Sequence, residues 1–69
     1  MRRYKLVKTA TGYEARNTKG EAIAFVSQDG PGEIRVDYEI PCGWEKEKFE
    51  GDLSKWSEKD IRNMLRTLI

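Results

Sequence analysis

Apolar and polar residues alternate along much of the first 40 residues of this 69-residue chain. The clearest alternation covers residues 33–40, where one side of an extended chain would carry Ile34, Val36, Tyr38 and Ile40 and the other side only charged residues. A period of two is typical of a half-buried antiparallel strand. Shorter alternations, separated by stretches rich in Gly, Asn and Asp, predict three earlier strands at residues 3–8, 13–17 and 22–27.

The period changes near the end of the chain. Apolar residues recur there at intervals of three and four, at Ile61, Met64, Leu65, Leu68 and Ile69. Ser57 followed three residues later by Asp60 is typical of a capping box at a helix N-terminus. The pattern predicts an amphipathic helix over residues 58–69. Because an isolated helix of about 12 residues is marginal in water, its apolar stripe is expected to pack on the sheet.

Residues 41–55 follow neither period clearly. Gly43 and Gly51 enclose a charged run with an aromatic residue near each end, which fits either a short fifth strand or a charged loop. The sequence therefore predicts a single α+β domain over residues 1–69. Its antiparallel meander would have four strands, or five if this run pairs, and the C-terminal amphipathic helix would pack on one face.

The amino-acid composition limits the catalytic and metal-binding chemistry that the chain can support. The chain has no histidine and a single cysteine, Cys42, so it lacks the most common general base and the Cys and His ligands of a structural zinc site. We expect a non-enzymatic protein with no metal and no other cofactor. A lone thiol favours a cytoplasmic setting. No run approaches the roughly 20 apolar residues of a membrane span, so a membrane partner is not expected.

Basic residues are concentrated at the start of the chain, where residues 1–28 hold six basic and two acidic side chains. If the helix covers the side of the sheet that carries Tyr4 and Leu6, the opposite side is bare and basic, and can lie along a phosphate backbone. The residues of this predicted nucleic-acid surface are Arg2, Arg3, Lys5, Lys8 and Arg16. The leading hypothesis is a nucleic-acid-associated accessory or regulatory protein.

The third predicted strand bears on this surface. Placing Ile23 and Phe25 inward leaves Ala22, Ala24 and Val26 on the bare side, as a flat lining between the basic residues. The order of several strands followed by one helix resembles, in topology only, sheet-and-helix DNA-binding modules such as the arm-binding domains of some integrases. That resemblance adds support at the level of the fold and assigns no residue a role.

The middle of the chain supports an alternative function. Residues 29–52 hold eight acidic and three basic side chains, and Trp44 lies among them. A small inhibitor or regulator of the phage or mobile-element type can dock on a basic protein surface through such a segment, with an exposed Trp as its hot spot. The residues of this second predicted surface are Asp37, Glu39, Trp44, Glu45 and Glu47. Either a monomer or a homodimer is compatible with a core this small.

Overall fold

The structure, a computed structural model, describes residues 3–69. The fold is α+β, as the sequence predicts: an open antiparallel sheet of five strands and one helix near the C-terminus. The strands follow chain order across the sheet, as β1 (Lys5–Lys8), β2 (Gly12–Arg16), β3 (Ala22–Gln28), β4 (Glu33–Ile40) and β5 (Gly43–Glu50). A 3-10 turn at Leu53–Lys55 then leads into helix α1 (Glu58–Arg66).

Strand β5 makes up most of residues 41–55, the segment that the sequence leaves as either a fifth strand or a charged loop. It pairs with β4 in unbroken register, from Glu33 opposite Glu50 to Ile40 opposite Gly43. Only Pro41 and Cys42 separate the two strands, so the connection is a two-residue hairpin turn. The alternating charges of this run are therefore the period-two pattern of a strand, and the fifth-strand interpretation is correct.

The core lies between one face of the sheet and α1. Six of its side chains come from the sheet and four from the segment after β5: Ala15, Ile23, Ala24, Val26, Ile34 and Val36, with Leu53, Ile61, Met64 and Leu65. The predicted apolar stripe of the helix thus packs on the sheet. Since α1 covers only one face, no element of residues 3–69 covers the opposite face of the sheet; we call that face the bare face.

A β-bulge interrupts the pairing of β2 with β3. Ala15 lies opposite Ala24, but the next residue, Arg16, lies opposite Ala22, so Ile23 is an extra residue on β3. A bulge of this kind lets two consecutive side chains turn to the same face. Ile23 and Ala24 are accordingly both buried in the core.

The bulge reverses the predicted orientation of most of β3. Beyond it, Ala24 and Val26 point into the core and Phe25 points to the bare face, where it is 41% exposed. The prediction that Phe25 lies inside while Ala24 and Val26 face outward is therefore wrong, and only Ile23 is inward as expected. The physical reason is that the bulge shifts the register of β3 by one residue, so that side chains expected on one face of the sheet lie on the other.

Helix α1 begins with the predicted capping box. The Ser57 hydroxyl accepts a hydrogen bond from the Asp60 backbone N–H at 3.2 Å, and the Asp60 carboxylate accepts one from the Ser57 N–H at 2.9 Å. The helix ends at Arg66, three residues before the predicted end, and the N–H groups of Leu68 and Ile69 both donate to the Leu65 carbonyl. Within residues 3–69, no helix has the length and apolar character needed to cross a bilayer.

The cap allows a direct test of its contribution. Replacing Ser57 by alanine removes the acceptor for the Asp60 N–H and is expected to lower the free energy of unfolding by about 1 kcal/mol. Urea denaturation followed by circular dichroism measures the loss. Lys59→Ala is the matched control, because Lys59 is only two residues further along the chain and is also exposed. Equal loss in the two variants would contradict a role for the cap.

One side chain joins the loops at this end of the sheet. The Gln28 side-chain amide nitrogen donates to the carbonyls of Gly30 at 2.8 Å, Glu33 at 3.0 Å and Gly51 at 3.1 Å. Its oxygen accepts from the Leu53 N–H at 2.8 Å. Gln28 therefore ties the β3–β4 turn to the chain that leaves β5, and so helps to position the 3-10 turn that precedes α1.

Candidate interaction surface on the bare sheet face

The pairing register defines which side chains reach the bare face. It places there Lys5 and Val7 of β1, Glu14 and Arg16 of β2, Ala22, Phe25 and Ser27 of β3, Glu33, Arg35, Asp37 and Glu39 of β4, and Trp44, Lys46, Lys48 and Glu50 of β5. In the described part of the chain, the large apolar side chains that remain exposed are Val7, Phe25 and Trp44, at 37%, 41% and 48%. All of them lie on this face, in a band that runs from β1 through β3 to β5.

The centre of this band is an aromatic pair. The ring centroids of Phe25 and Trp44 are 5.8 Å apart and the rings are tilted by 31°. The two residues come from β3 and β5, so their side chains meet above the intervening strand β4. This spacing is typical of favourable aromatic contacts. The contact holds both rings on a rigid sheet while leaving much of their surface open to solvent.

Ion pairs neutralise much of the charge around the aromatic pair. They join Arg16 to Glu14 at 2.8 Å, Arg35 to Asp37 at 3.2 Å and Lys48 to Glu33 at 3.0 Å. The hydrogen bond that Lys48 donates to the Glu33 carboxylate, and then the negative charge of that carboxylate, raise the pKa of Lys48. The bare face therefore carries an aromatic pair among side chains of mixed charge, with Asp37 and Glu39 on the strand between the two rings, and it is not the uniformly basic surface that the sequence suggested.

The structure brings together part of the predicted nucleic-acid surface. Lys5 and Arg16 are paired across β1 and β2 on the bare face, and Arg3 is exposed just before β1. Arg16, however, already binds Glu14 and donates a hydrogen bond to the carbonyl of Gly20 at 3.1 Å. Arg2 lies outside the described residues.

Lys8 departs from that predicted surface. It pairs with Tyr13, whose side chain packs against the core, so Lys8 belongs to the helix side of the sheet. Lys8 is three residues from Lys5, and an odd separation along a strand places two side chains on opposite faces. Grouping Lys8 with Lys5 was therefore wrong.

The second predicted surface is divided in the same way. Asp37, Glu39 and Trp44 lie on the bare face, whereas Glu45 and Glu47 pair with Tyr38 and Val36 and point to the helix side. Consecutive residues of a strand face opposite ways, so a segment that is acidic in sequence does not form one acidic patch. The five residues cannot act together as a single docking surface.

Glu45 and Glu47 instead form an acidic margin beside the helix. Partial burial raises the pKa of Tyr38, and the negative charges of Glu47 and Glu45 raise it further. Both carboxylates are exposed. Strand β5 consequently carries both of its lysines and Glu50 on its bare-face side, and Glu45 and Glu47 on its helix side.

Sequence reasoning missed two members of the apolar band. Val7 falls on the same side as Lys5 in the predicted alternation of β1, so its exposure was available from that pattern. Phe25 was assigned to the core because no local signal marks the bulge. Among residues 3–69, no three Cys, Asp or Glu side chains are grouped to hold a metal ion. Cys42 is exposed in the β4–β5 turn.

Known proteins offer no guide to the role of the bare face. No protein-family model matches the chain, and no curated protein and no solved structure matches it.

Proposed function

We propose that this protein is a non-enzymatic binding module that recognises another protein through the bare face. The observation that supports the proposal is the pair of Phe25 and Trp44, whose rings stay 41% and 48% exposed although they are in contact. Aromatic side chains at the centre of a polar rim are the usual hot spots of protein interfaces. A folded sheet also holds such anchors in place before binding, which reduces the entropy lost on association.

The charge of the bare face indicates the chemistry of the partner. Its arginines and Lys48 are already paired with carboxylates of the same face. A partner surface that is apolar at its centre and weakly charged fits such a rim, because it does not need to break these pairs. We infer a regulator or inhibitor of that partner. A cytoplasmic setting remains a prediction that is based on the lone cysteine.

Nucleic acid is the second candidate. Exposed rings can stack on unpaired bases, and Lys5 and Lys46 lie on the same face. Two features favour the protein instead. Arg35 belongs to β4, the strand that the aromatic pair spans, and it is engaged by Asp37, so it is not free to contact a phosphate. A nucleic-acid surface also depends on cations that are free to contact phosphates, and Arg16 is engaged by Glu14.

The test of the proposal removes the aromatic anchors. A photo-cross-linking residue in place of Ser27, beside Phe25 on the bare face, is used to capture the partner, which is then purified and titrated directly. Phe25→Ser and Trp44→Ser are each expected to weaken binding at least about tenfold, which corresponds to about 1.4 kcal/mol. Arg66→Ser, on the exposed side of α1, is the matched control and should leave the affinity unchanged.

The same variants decide between protein and nucleic acid. Labelled single- and double-stranded DNA and RNA are titrated at about 50 and 200 mM salt, where a phosphate binder weakens steeply. Salt-sensitive binding that is lost in Phe25→Ser would replace the protein partner with nucleic acid. Direct binding of a purified protein that Phe25→Ser and Trp44→Ser do not weaken would overturn the assignment of the bare face.

A further inference from the structure

Strand β5 is an open edge of the sheet. It pairs with β4 on one side only, along all eight of its residues, without a bulge or a proline. Alternate residues of such a strand direct their N–H and C=O groups away from the sheet, where a further strand can bind them. The opposite edge, β1, has only four residues. Of the two edges, β5 therefore offers the longer template for strand addition.

The charges of β5 are largely sorted by face. Lys46, Lys48 and the final Glu50 lie on the bare-face side, and Glu45 and Glu47 lie on the helix side. Lys48 is engaged by Glu33, but within residues 3–69 neither Lys46 nor Glu45 nor Glu47 makes an ion pair. A strand added beside β5 would place its own side chains directly opposite these residues, where opposite charges attract and like charges repel.

We propose that β5 is a strand-addition site, and that it binds an extended segment of the partner protein with alternating charge. Acidic residues of that segment face Lys46 and Lys48, basic residues face Glu45 and Glu47, and an apolar residue lies beside Trp44. The inference is based on the proposed function, since it gives the mode by which the same protein partner docks. Main-chain hydrogen bonds supply affinity in this mode, and alternate side chains supply specificity.

The same charges disfavour a second copy of this chain as the occupant. Two β5 strands that pair antiparallel about a two-fold axis keep the bare faces of the two copies on one side. Every such register that pairs at least half of β5 sets like charges opposite each other, and only the register with Lys48 opposite Lys48 also brings Lys46 opposite Glu50 of the other copy. In the other registers no opposite charges meet, so the edge favours a segment of complementary charge over its own copy.

The probe is a synthetic peptide of the same length as β5, Lys-Val-Glu-Lys-Glu-Lys-Val-Thr. Aligned antiparallel, its valines lie opposite Phe49 and Trp44, and its charges oppose those of β5. Hydrogen exchange followed by NMR is expected to show at least tenfold slower exchange for the outward-facing amides of β5 when the peptide is in excess. A control peptide N-methylated at the amides that would bond to β5 keeps the side chains but cannot pair, and should give no protection.

A charge-exchange variant tests the specificity. Glu45→Lys combined with Glu47→Lys is expected to weaken peptide binding at least tenfold. Glu21→Lys combined with Glu58→Lys changes the net charge equally, away from β5, and should have little effect. Circular dichroism of both variants establishes that they are folded before they are compared.

The outcomes separate the two proposals. No protection of β5 by millimolar peptide, or equal protection by the N-methylated peptide, would overturn strand addition. If Phe25→Ser still weakens binding of the purified partner in that case, the protein-binding function stands without strand addition. Protection of β5 that is lost on charge exchange supports strand addition, even if Phe25→Ser proves neutral and the bare-face anchors are rejected.

Discussion

Replacing Leu65 by alanine is expected to lower the free energy of unfolding by about 2–5 kcal/mol. Leu65 is fully buried, on the side of α1 that meets the sheet, in the same cluster as Ile34 and Val36. Truncation removes apolar contacts and leaves a cavity that the surrounding strands can fill only in part. A chain of this size has a net stability of only about 3–5 kcal/mol, so much of the Leu65→Ala population should be unfolded at room temperature.

Urea denaturation followed by both circular dichroism and tryptophan fluorescence measures the effect. The neighbouring Arg66 is exposed on the opposite side of the helix, so Arg66→Ala is the matched control and is expected to change stability by less than about 0.5 kcal/mol. A similar loss in both variants would mean that α1 does not depend on Leu65 for its attachment to the sheet.

Gln28→Leu is expected to cost about 1–3 kcal/mol, although the change increases hydrophobicity. The leucine removes the partner of the Leu53 N–H and a shared donor to the carbonyls of Gly30, Glu33 and Gly51. The hydrogen bonds to Glu33, Gly51 and Leu53 are partly buried, and a backbone group there that water does not reach loses its hydrogen bond without replacement. The variant should therefore loosen the connection between β5 and α1 more than the sheet itself.

Amide hydrogen exchange can localise that effect. Exchange at Leu53 is expected to accelerate strongly in Gln28→Leu, while exchange at Val36, in the centre of β4, should follow only the global loss of stability. Ser27→Ala is the control, because Ser27 is adjacent in sequence but points to the bare face. If Leu53 exchanges no faster than the global loss requires, the hydrogen bonds of Gln28 do not hold this connection.

The sequence predicted those elements that local pattern alone determines. β4 has its predicted bounds because its alternation matches a strand with one buried face. The Ser57–Asp60 cap is also as predicted, because both partners lie within one turn of chain. Strand β5 was ambiguous for a physical reason: its helix-side positions carry Glu45 and Glu47 beyond the edge of the core. Hydrophobicity therefore gives no signal over most of its length.

The candidate surface was less predictable than the fold. The bulge depends on how Ala15 and Ala24 pack across two strands, and no local composition marks that slip. It turns Phe25 to solvent, where the ring meets Trp44 from another strand. To predict a contact between side chains on β3 and β5, one must know how β3, β4 and β5 are all aligned with one another. Ion pairs such as Arg16 with Glu14 likewise become visible only when side-chain positions are known.

The order of strands in the sheet has a consequence for how the chain reaches this structure. Every strand pairs with its neighbours in sequence, so each hairpin closes a loop of few residues and loses little chain entropy. Proteins dominated by such short-range pairings fold faster than those that join distant segments. Docking of α1 brings together residues far apart in sequence, so we expect this step, rather than sheet formation, to set the folding rate.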